Sequence, residues 1–308
     1  MSKLRFLLSV TNQDNDFQIE QADAARLVAD RLGIGLEVIS ADDDGVKQSQ
    51  QLLEQVQSRK SRPPDGILLE PAGSTALPQV ARAAAAAGVG WGILSRDADY
   101  VEGLRRTYSP PIFVVAPDHE EIGKIQGRQL AALIPAGGTV LYIAGPSQSA
   151  AARQRLDGTM ATKPKNIQLR VVKAHWTESS AFKAVSSWLT LCTSRETQIA
   201  AVCAQDDSMA IGARKAFEAC QHANRTSWLS APFLGCDGMP KTGQQWVKTG
   251  MLAATVYTPP TAPLGLELMA RFFTNGVMPP VRTLTTTESI PPLDTLASLS
   301  SSAVVGKR

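Results

Sequence analysis

Short apolar runs alternate with amphipathic stretches from end to end of this chain, and that alternation restricts its fold more than any single residue does. Parallel strands need a crossover long enough to hold a helix, so strand–helix repeats specify a parallel sheet with helices on its faces. The first series predicts strands at Leu4–Val10, Leu36–Ile39, Ile67–Leu69, Val89–Leu94 and Ile112–Val115. The helix expected over Phe17–Leu32 shows the pattern well: Ala22, Ala25, Val28, Ala29 and Leu32 share one face, and Gly33 stops it. An Ala-rich helix is expected over Thr75–Ala87, whereas residues 97–111 break the rhythm. A second series repeats the first, with strands at Thr139–Ala144, Leu169–Lys173, Ile199–Ala204, Phe233–Cys236 and Ala253–Tyr257. One further helix is expected over Leu264–Phe273. The length of 308 residues suits two domains, and the runs are apolar enough for sheets covered on both faces. The expected class is α/β, with two doubly wound parallel-sheet lobes.

Composition narrows the partners. At 44% hydrophobic and 19% charged the chain has material for two cores, and a net charge of +3 gives no nucleic-acid footprint. Arg59, Lys60 and Arg62 read as a solvated helix end. No run reaches the roughly 18 apolar residues of a membrane helix. Lys3 and Arg5 precede an apolar stretch too short for a signal-peptide core, so Phe6-Leu7-Leu8 reads as strand and no export signal is read. Cys192, Cys203, Cys220 and Cys236 show no metal-ligand spacing; as free thiols they fit a reducing compartment, although four cysteines can also pair.

Open α/β sheets bind ligands beyond the carboxyl ends of their strands. There stand Asn15 and Phe17, Ser95 and Arg96, a Gly-Pro-Ser loop leading to Arg153, Trp176, Gln205-Asp206-Asp207, Asp237, and Tyr257-Thr258. Carboxylates, guanidinium groups, an amide and aromatics suit a polyhydroxylated ligand, whose ring stacks on aromatics and whose vicinal hydroxyls take bidentate bonds. Asp and Asn at strand ends also serve as helix N-caps, so one of Asp206 and Asp207 is expected to cap. Packing explains Trp176 equally well, and a loop charge explains either Arg taken singly.

Other patterns fail their own chemistry. Asn12, Asp14 and Asp16 alternate as in a calcium loop, but Phe17 stands where the turning Gly belongs. Gly235 to Thr242 ends like a phosphate loop, but Pro240 removes an amide. His119, His175 and His222 have no metal spacing, and no nucleophile elbow or dinucleotide fingerprint occurs. No catalytic residue, metal or cofactor is assigned.

Asn-x-Phe after the first strand, Ala151-Ala152-Arg153-Gln154-Arg155-Leu156-Asp157-Gly158, Ala204-Gln205-Asp206-Asp207-Ser208-Met209-Ala210-Ile211-Gly212-Ala213 and Gly235-Cys236-Asp237-Gly238 carry a family resemblance. Together they resemble the periplasmic sugar-binding proteins, the ribose and galactose receptors of ABC transport and chemotaxis. The effector domains of lac-repressor-type regulators share that fold. The similarity runs from Leu4 to Leu293. It implies a type I binding-protein fold, with lobes of 1–116 plus 258–290 and 117–257 plus 291–297, and a flexible tail of 298–308. Hinge crossings are implied near Ala116–Pro117, Tyr257–Thr258 and Glu288–Pro291.

The resemblance implies ligand contacts at Asn15, Phe17, Ser95, Arg96, Arg153, Trp176, Asp206, Asp237 and Thr258. Asp206 and Asp237 would accept from sugar hydroxyls, Arg96 and Arg153 would donate, and Phe17 and Trp176 would sandwich the ring. The chain departs from ribose receptors at Gln18, where they have a second aromatic, at Ser95 in place of Asp, and at Asp206 in place of Asn. A pentose, hexose, polyol or sugar acid all stay open, and Arg96 with Arg153 would favour an anionic group. The implied protein is a monomeric, periplasmic, non-enzymatic receptor that closes around its ligand for an ABC permease or a sensor. Two alternatives are a cytoplasmic sugar sensor of the same fold without a DNA-binding domain, and a Rossmann-like enzyme using Asp206, Asp237 or His175.

Overall fold

The computed structural model describes residues 3–58, 62–73, 76–191 and 197–298. It divides into two compact units, Met1–Pro117 with Pro260–Thr285, and Asp118–Pro259 with Thr286–Arg308. The first unit runs β1 (Arg5–Val10), α1 (Asp16–Leu32), β2 (Gly35–Ser40), α2 (Gly45–Gln57), β3 (Gly66–Leu69), α3 (Pro78–Ala86), β4 (Gly90–Leu94), α4 (Val101–Thr107) and β5 (Ile112–Pro117). The second follows with α5 (His119–Leu133), β6 (Gly138–Ala144), α6 (Ala150–Thr162), β7 (Ile167–Lys173), α7 (Glu178–Leu189), β8 (Ile199–Ala204), α8 (Asp207–Ala219), α9 (Arg225–Ser230), β9 (Phe233–Leu234), α10 (Gly243–Lys248) and β10 (Thr255–Tyr257). The chain returns to the first unit for α11 (Thr261–Asn275) and β11 (Arg282–Thr285), and to the second for β12 (Glu288–Ile290).

In the first unit six parallel strands lie in the order β11-β5-β4-β3-β1-β2. Side chains alternate across the sheet, so neighbouring residues feed different cores. Leu7, Ile67, Leu69, Trp91 and Ile93 pack with α2, α3 and α4 on one face. Phe6, Leu8, Leu68, Leu94 and Phe113 pack with α1 and α11 on the other. Helix α1 begins where Asn15 accepts a hydrogen bond from the Gln18 N–H, and ends at left-handed Gly33. The expected helix at Leu264–Phe273 is α11, longer at both ends.

The second unit has a parallel sheet in the order β7-β6-β8-β9, flanked by two further cores. Leu141, Ile143 and Val202 meet α7 and α8 on one face, while Val140, Tyr142 and Cys203 meet Leu130 of α5 on the other. The strand expected at Ala253–Tyr257 is shorter and does two jobs. Parallel bridges join Leu234 to Ala254 and Asp237 to Tyr257, while β10 pairs antiparallel with β12.

Two expectations need correcting. Residues 97–111 hold α4, whose two buried residues, Val101 and Leu104, are too few to show a helical period. Strands β11 and β12 follow Pro279-Pro280, where no strand was expected; each is short and half-exposed, without an apolar run. The units divide at Pro259–Pro260 and Thr285–Thr286, because β12 is bound to β10 of the second unit. Expectations for Arg59, Lys60, Thr75, Cys192 and residues 299–308 lie outside the described residues. Cys203, Cys220 and Cys236 are free thiols, with Cys203 and Cys236 buried. Among the described residues no helix is long and apolar enough to cross a membrane.

Helices α5 and α6 touch through glycine. A Cβ on Gly158 would lie 2.1 Å from the Glu120 carbonyl oxygen, and one on Gly123 would lie 2.0 Å from that of Arg155. Gly158→Ala is therefore expected to cost about 1–3 kcal/mol by forcing the helices apart. Gly103→Ala in α4, where a Cβ meets nothing within 4 Å, is expected to stabilise by roughly 0.5–1 kcal/mol. Urea midpoints moving in opposite directions check both; equal effects would contradict this packing.

Candidate ligand-binding site

In the second unit a buried guanidinium, that of Arg155, gathers the strand-end groups. It projects from α6, whose first turn is capped by Ser149. Its Nε donates to His119 Nδ1 at 3.3 Å and its Nη1 to the Gln205 carbonyl oxygen. Nη1 also stands 3.8 Å from Asp237 Oδ1, and the guanidinium carbon lies 5.6 Å from the centre of the Trp176 ring. Burial alone would push this guanidinium towards its neutral form, but the charges of Asp237 and Asp206 oppose that, and its pKa stays above the ordinary value. The cation is therefore a fixed part of the site.

Each neighbour is held by backbone as well as by side chain. Asp237 donates its N–H to Val256 O and accepts from the Thr258 N–H, both at 2.9 Å. Asp207 secures the next residue: its Oδ2 accepts from the Gly238 N–H at 2.7 Å, and its Oδ1 from the Thr255 hydroxyl at 2.7 Å. Asp206 caps α8, with Oδ1 accepting from the Met209 N–H at 2.5 Å. Capping and ligand binding are compatible, because a carboxylate has two oxygens. Buried Gln205 accepts from the Gly145 N–H at 2.8 Å and donates to Tyr142 Oη and Ala152 O, which ties down the Gly-Pro-Ser loop. That loop passes under Trp176, where a Cβ on Gly145 would lie 2.2 Å from the ring.

In the first unit Asn12 shapes the loop after β1. Its Oδ1 accepts from the N–H groups of Asp14 and Asn15, and its Nδ2 donates to Asp43. Asn15 and Phe17 are both buried at the start of α1. Gln18, in the place of a second aromatic, accepts from the Thr11 N–H at 3.3 Å. Ser95 is 3.1 Å from the Thr261 hydroxyl, which donates to Gln21; Gln21 in turn donates to Glu70 at 3.1 Å. Arg96 donates to Gly73 O at 2.8 Å; burial lowers its pKa, and the charges of Glu70 and Asp43 oppose that shift.

The nine residues expected from the sequence thus differ in setting. Asp206, Asp237 and Trp176 meet around Arg155, whereas Arg153 stands exposed on the same helix. Thr258 is buried, its hydroxyl 3.8 Å from Cys236 Sγ. Ser95, Trp176 and Asp237 have φ of +60°, +61° and +100°, among only six non-glycine residues of the described chain in that region. Such backbone persists only where surrounding bonds enforce it. Three groups that stand at these strand ends lie outside the nine: Arg155, Glu70 and His119. Arg155 is buried where Arg153 is exposed, since a helix buries only one face and the two lie about 200° apart on it. Glu70 was hidden between strand and Pro71. His119 meets Arg155, while His175, weighed as an acid or base, is exposed.

Among the described residues no group of three or more His, Cys, Asp or Glu side chains is arranged to hold a metal. The ribose import binding protein RbsB of Escherichia coli K12 is 28% identical to this chain over 256 residues, 83% of the chain and 79% of the relative. The D-apiose import binding protein of Actinobacillus succinogenes is 28% identical over 234 residues, 73% and 68% of the two lengths. A solved ABC transporter periplasmic solute binding protein from Actinobacillus succinogenes 130z, with bound D-allose, superposes with a TM-score of 0.78 at 22% identity. That likeness covers 96% of this chain and all of the other, and concerns the fold. The periplasmic binding protein domain family matches residues 6–270, and the chain belongs to that family.

Proposed function

We propose that this protein is a solute-binding receptor for a monosaccharide or related polyol, serving ABC-type uptake or chemosensing. The observation that carries this reading is the cluster around Arg155, which presents carboxylates and an indole ring at the strand ends of the second unit. Buried carboxylates accept from hydroxyls, and an indole face suits the apolar face of a sugar ring. The relatives' names, for ribose import and D-apiose import, support the same ligand class.

The proposed contacts are Asn15, Phe17, Ser95, Arg96 and Glu70 of the first unit, and Arg153, Trp176, Asp206, Asp237 and Thr258 of the second. In this reading exposed Arg153 donates to the ligand, while Arg155 positions Asp237 and Trp176. The protein binds without making or breaking bonds, and a permease or a sensor protein reads the bound form of a monomer.

A thermal-shift screen of pentoses, hexoses and polyols tests this reading. A ligand at 100 times its Kd adds about 2.7 kcal/mol, a shift of several degrees. No shift with any of them would contradict the sugar assignment. Asp237→Asn is expected to weaken a sugar that binds by about 10–100-fold, the worth of a hydrogen bond to a charged group. The two arginines should separate. Arg153→Ala is expected to lower affinity while leaving stability within about 0.5 kcal/mol, as for an exposed side chain. Arg155→Ala is expected to lose both affinity and roughly 3–5 kcal/mol of stability, because it leaves buried carboxylates without their cation. Calorimetry and urea unfolding of both variants check this, and equal stability losses would contradict the roles assigned.

A further inference from the structure

The charge balance at the strand ends points to the ligand's own charge. Among the described residues of the second unit, Asp206, Asp207 and Asp237 are buried carboxylates, and Arg155 is the buried guanidinium or ammonium group. His119 adds no positive charge in this arrangement, since its Nδ1 accepts from Arg155. Asp207 is engaged by the Gly238 N–H and the Thr255 hydroxyl, and the α8 N-terminus offsets part of the charge on Asp206. Exposed Arg153 contributes through solvent, which screens it. The first unit is similar: Arg96 is flanked by Glu70 and Asp43 and donates to Gly73 O. Of the two arginines that would favour an anion from sequence alone, Arg96 therefore stands beside carboxylates of its own unit, and Arg153 is exposed to screening solvent.

We propose that the ligand meets these strand ends with hydrogen-bond donors and without an anionic group: the site takes neutral or amino-substituted polyols and rejects sugar acids. This rests on the receptor reading above. A ligand carboxylate beside Asp206 and Asp237 would meet like charges in a poorly solvated site, whereas hydroxyls or a protonated amine would meet acceptors.

Calorimetry on the full chain at pH 7 tests it with D-ribose, D-glucose and D-galactose, the acids D-ribonate, D-glucuronate and D-galacturonate, and the amines D-glucosamine and D-galactosamine. For a neutral sugar that binds, the acid is expected to be at least about 100-fold weaker, about 2.7 kcal/mol. An amine derivative is expected within about tenfold of its parent or tighter. Asp206→Asn keeps a good N-cap for α8 while removing one charge, so it should narrow the gap between acid and neutral sugar by about tenfold. An acid binding within tenfold of its parent, or a gap unchanged in Asp206→Asn, would overturn the selectivity alone. Binding by an acid but by none of the neutral probes would also overturn the selectivity while leaving a receptor. No binding by any of these probes or by any sugar or polyol of the thermal-shift screen would overturn the receptor reading itself.

Discussion

Burying the Arg155 guanidinium constrains everything around it in the second unit. Removing such a cation from water costs several kcal/mol unless its surroundings return hydrogen bonds and negative charge. Here the return comes from the Gln205 carbonyl, His119 Nδ1 and the Asp237 carboxylate, with the Trp176 ring beneath. The same contacts that make the cation tolerable hold a carboxylate and an indole at the strand ends. Pre-organisation and charge compensation are therefore one interaction seen from two sides. An arrangement held this firmly need not be ordered by the ligand, which leaves more of the contact energy for affinity.

The sheet makes that arrangement reachable. Parallel strands deliver their carboxyl ends to one edge, and the helices after β6, β7 and β8 begin there with side-chain caps. Ser149, Thr177 and Asp206 cap α6, α7 and α8 in turn, so α6, which carries Arg155, and the helices that follow Trp176 and Gln205 start from fixed points. Gly158 and Gly123 let α5 and α6 approach closely enough for His119 and Arg155 to meet. Backbone strain is concentrated at the same edge: Trp176 and Asp237 both have positive φ, and bonds from Val256, Thr258 and the Asp207–Gly238 pair lock Asp237 there.

Much of the fold was legible because apolar runs and helix periods are local. The strands at Leu4–Val10, Thr139–Ala144 and Ile199–Ala204 lie within a residue of β1, β6 and β8, since buried strands leave a continuous apolar signature. β11 and β12 escaped because short, half-exposed strands leave none. The site was legible in part: Asp206, Asp237 and Trp176 stand at strand ends, where topology alone directs attention. Arg153 and Arg155 look alike in sequence, and only the face that α6 turns towards β8 separates them. Glu70 matters through Gln21 and Arg96, which lie 49 and 26 positions away, a proximity that no local pattern encodes.

A crystal structure of the protein with a bound neutral sugar tests the central claim most directly. The account predicts sugar hydroxyls within hydrogen-bond distance of Asp206, Asp237 and Arg153, the ring against Trp176, and Arg155 still bonded to the Gln205 carbonyl. A sugar bound elsewhere, or one held without Asp237 and Trp176, would contradict it.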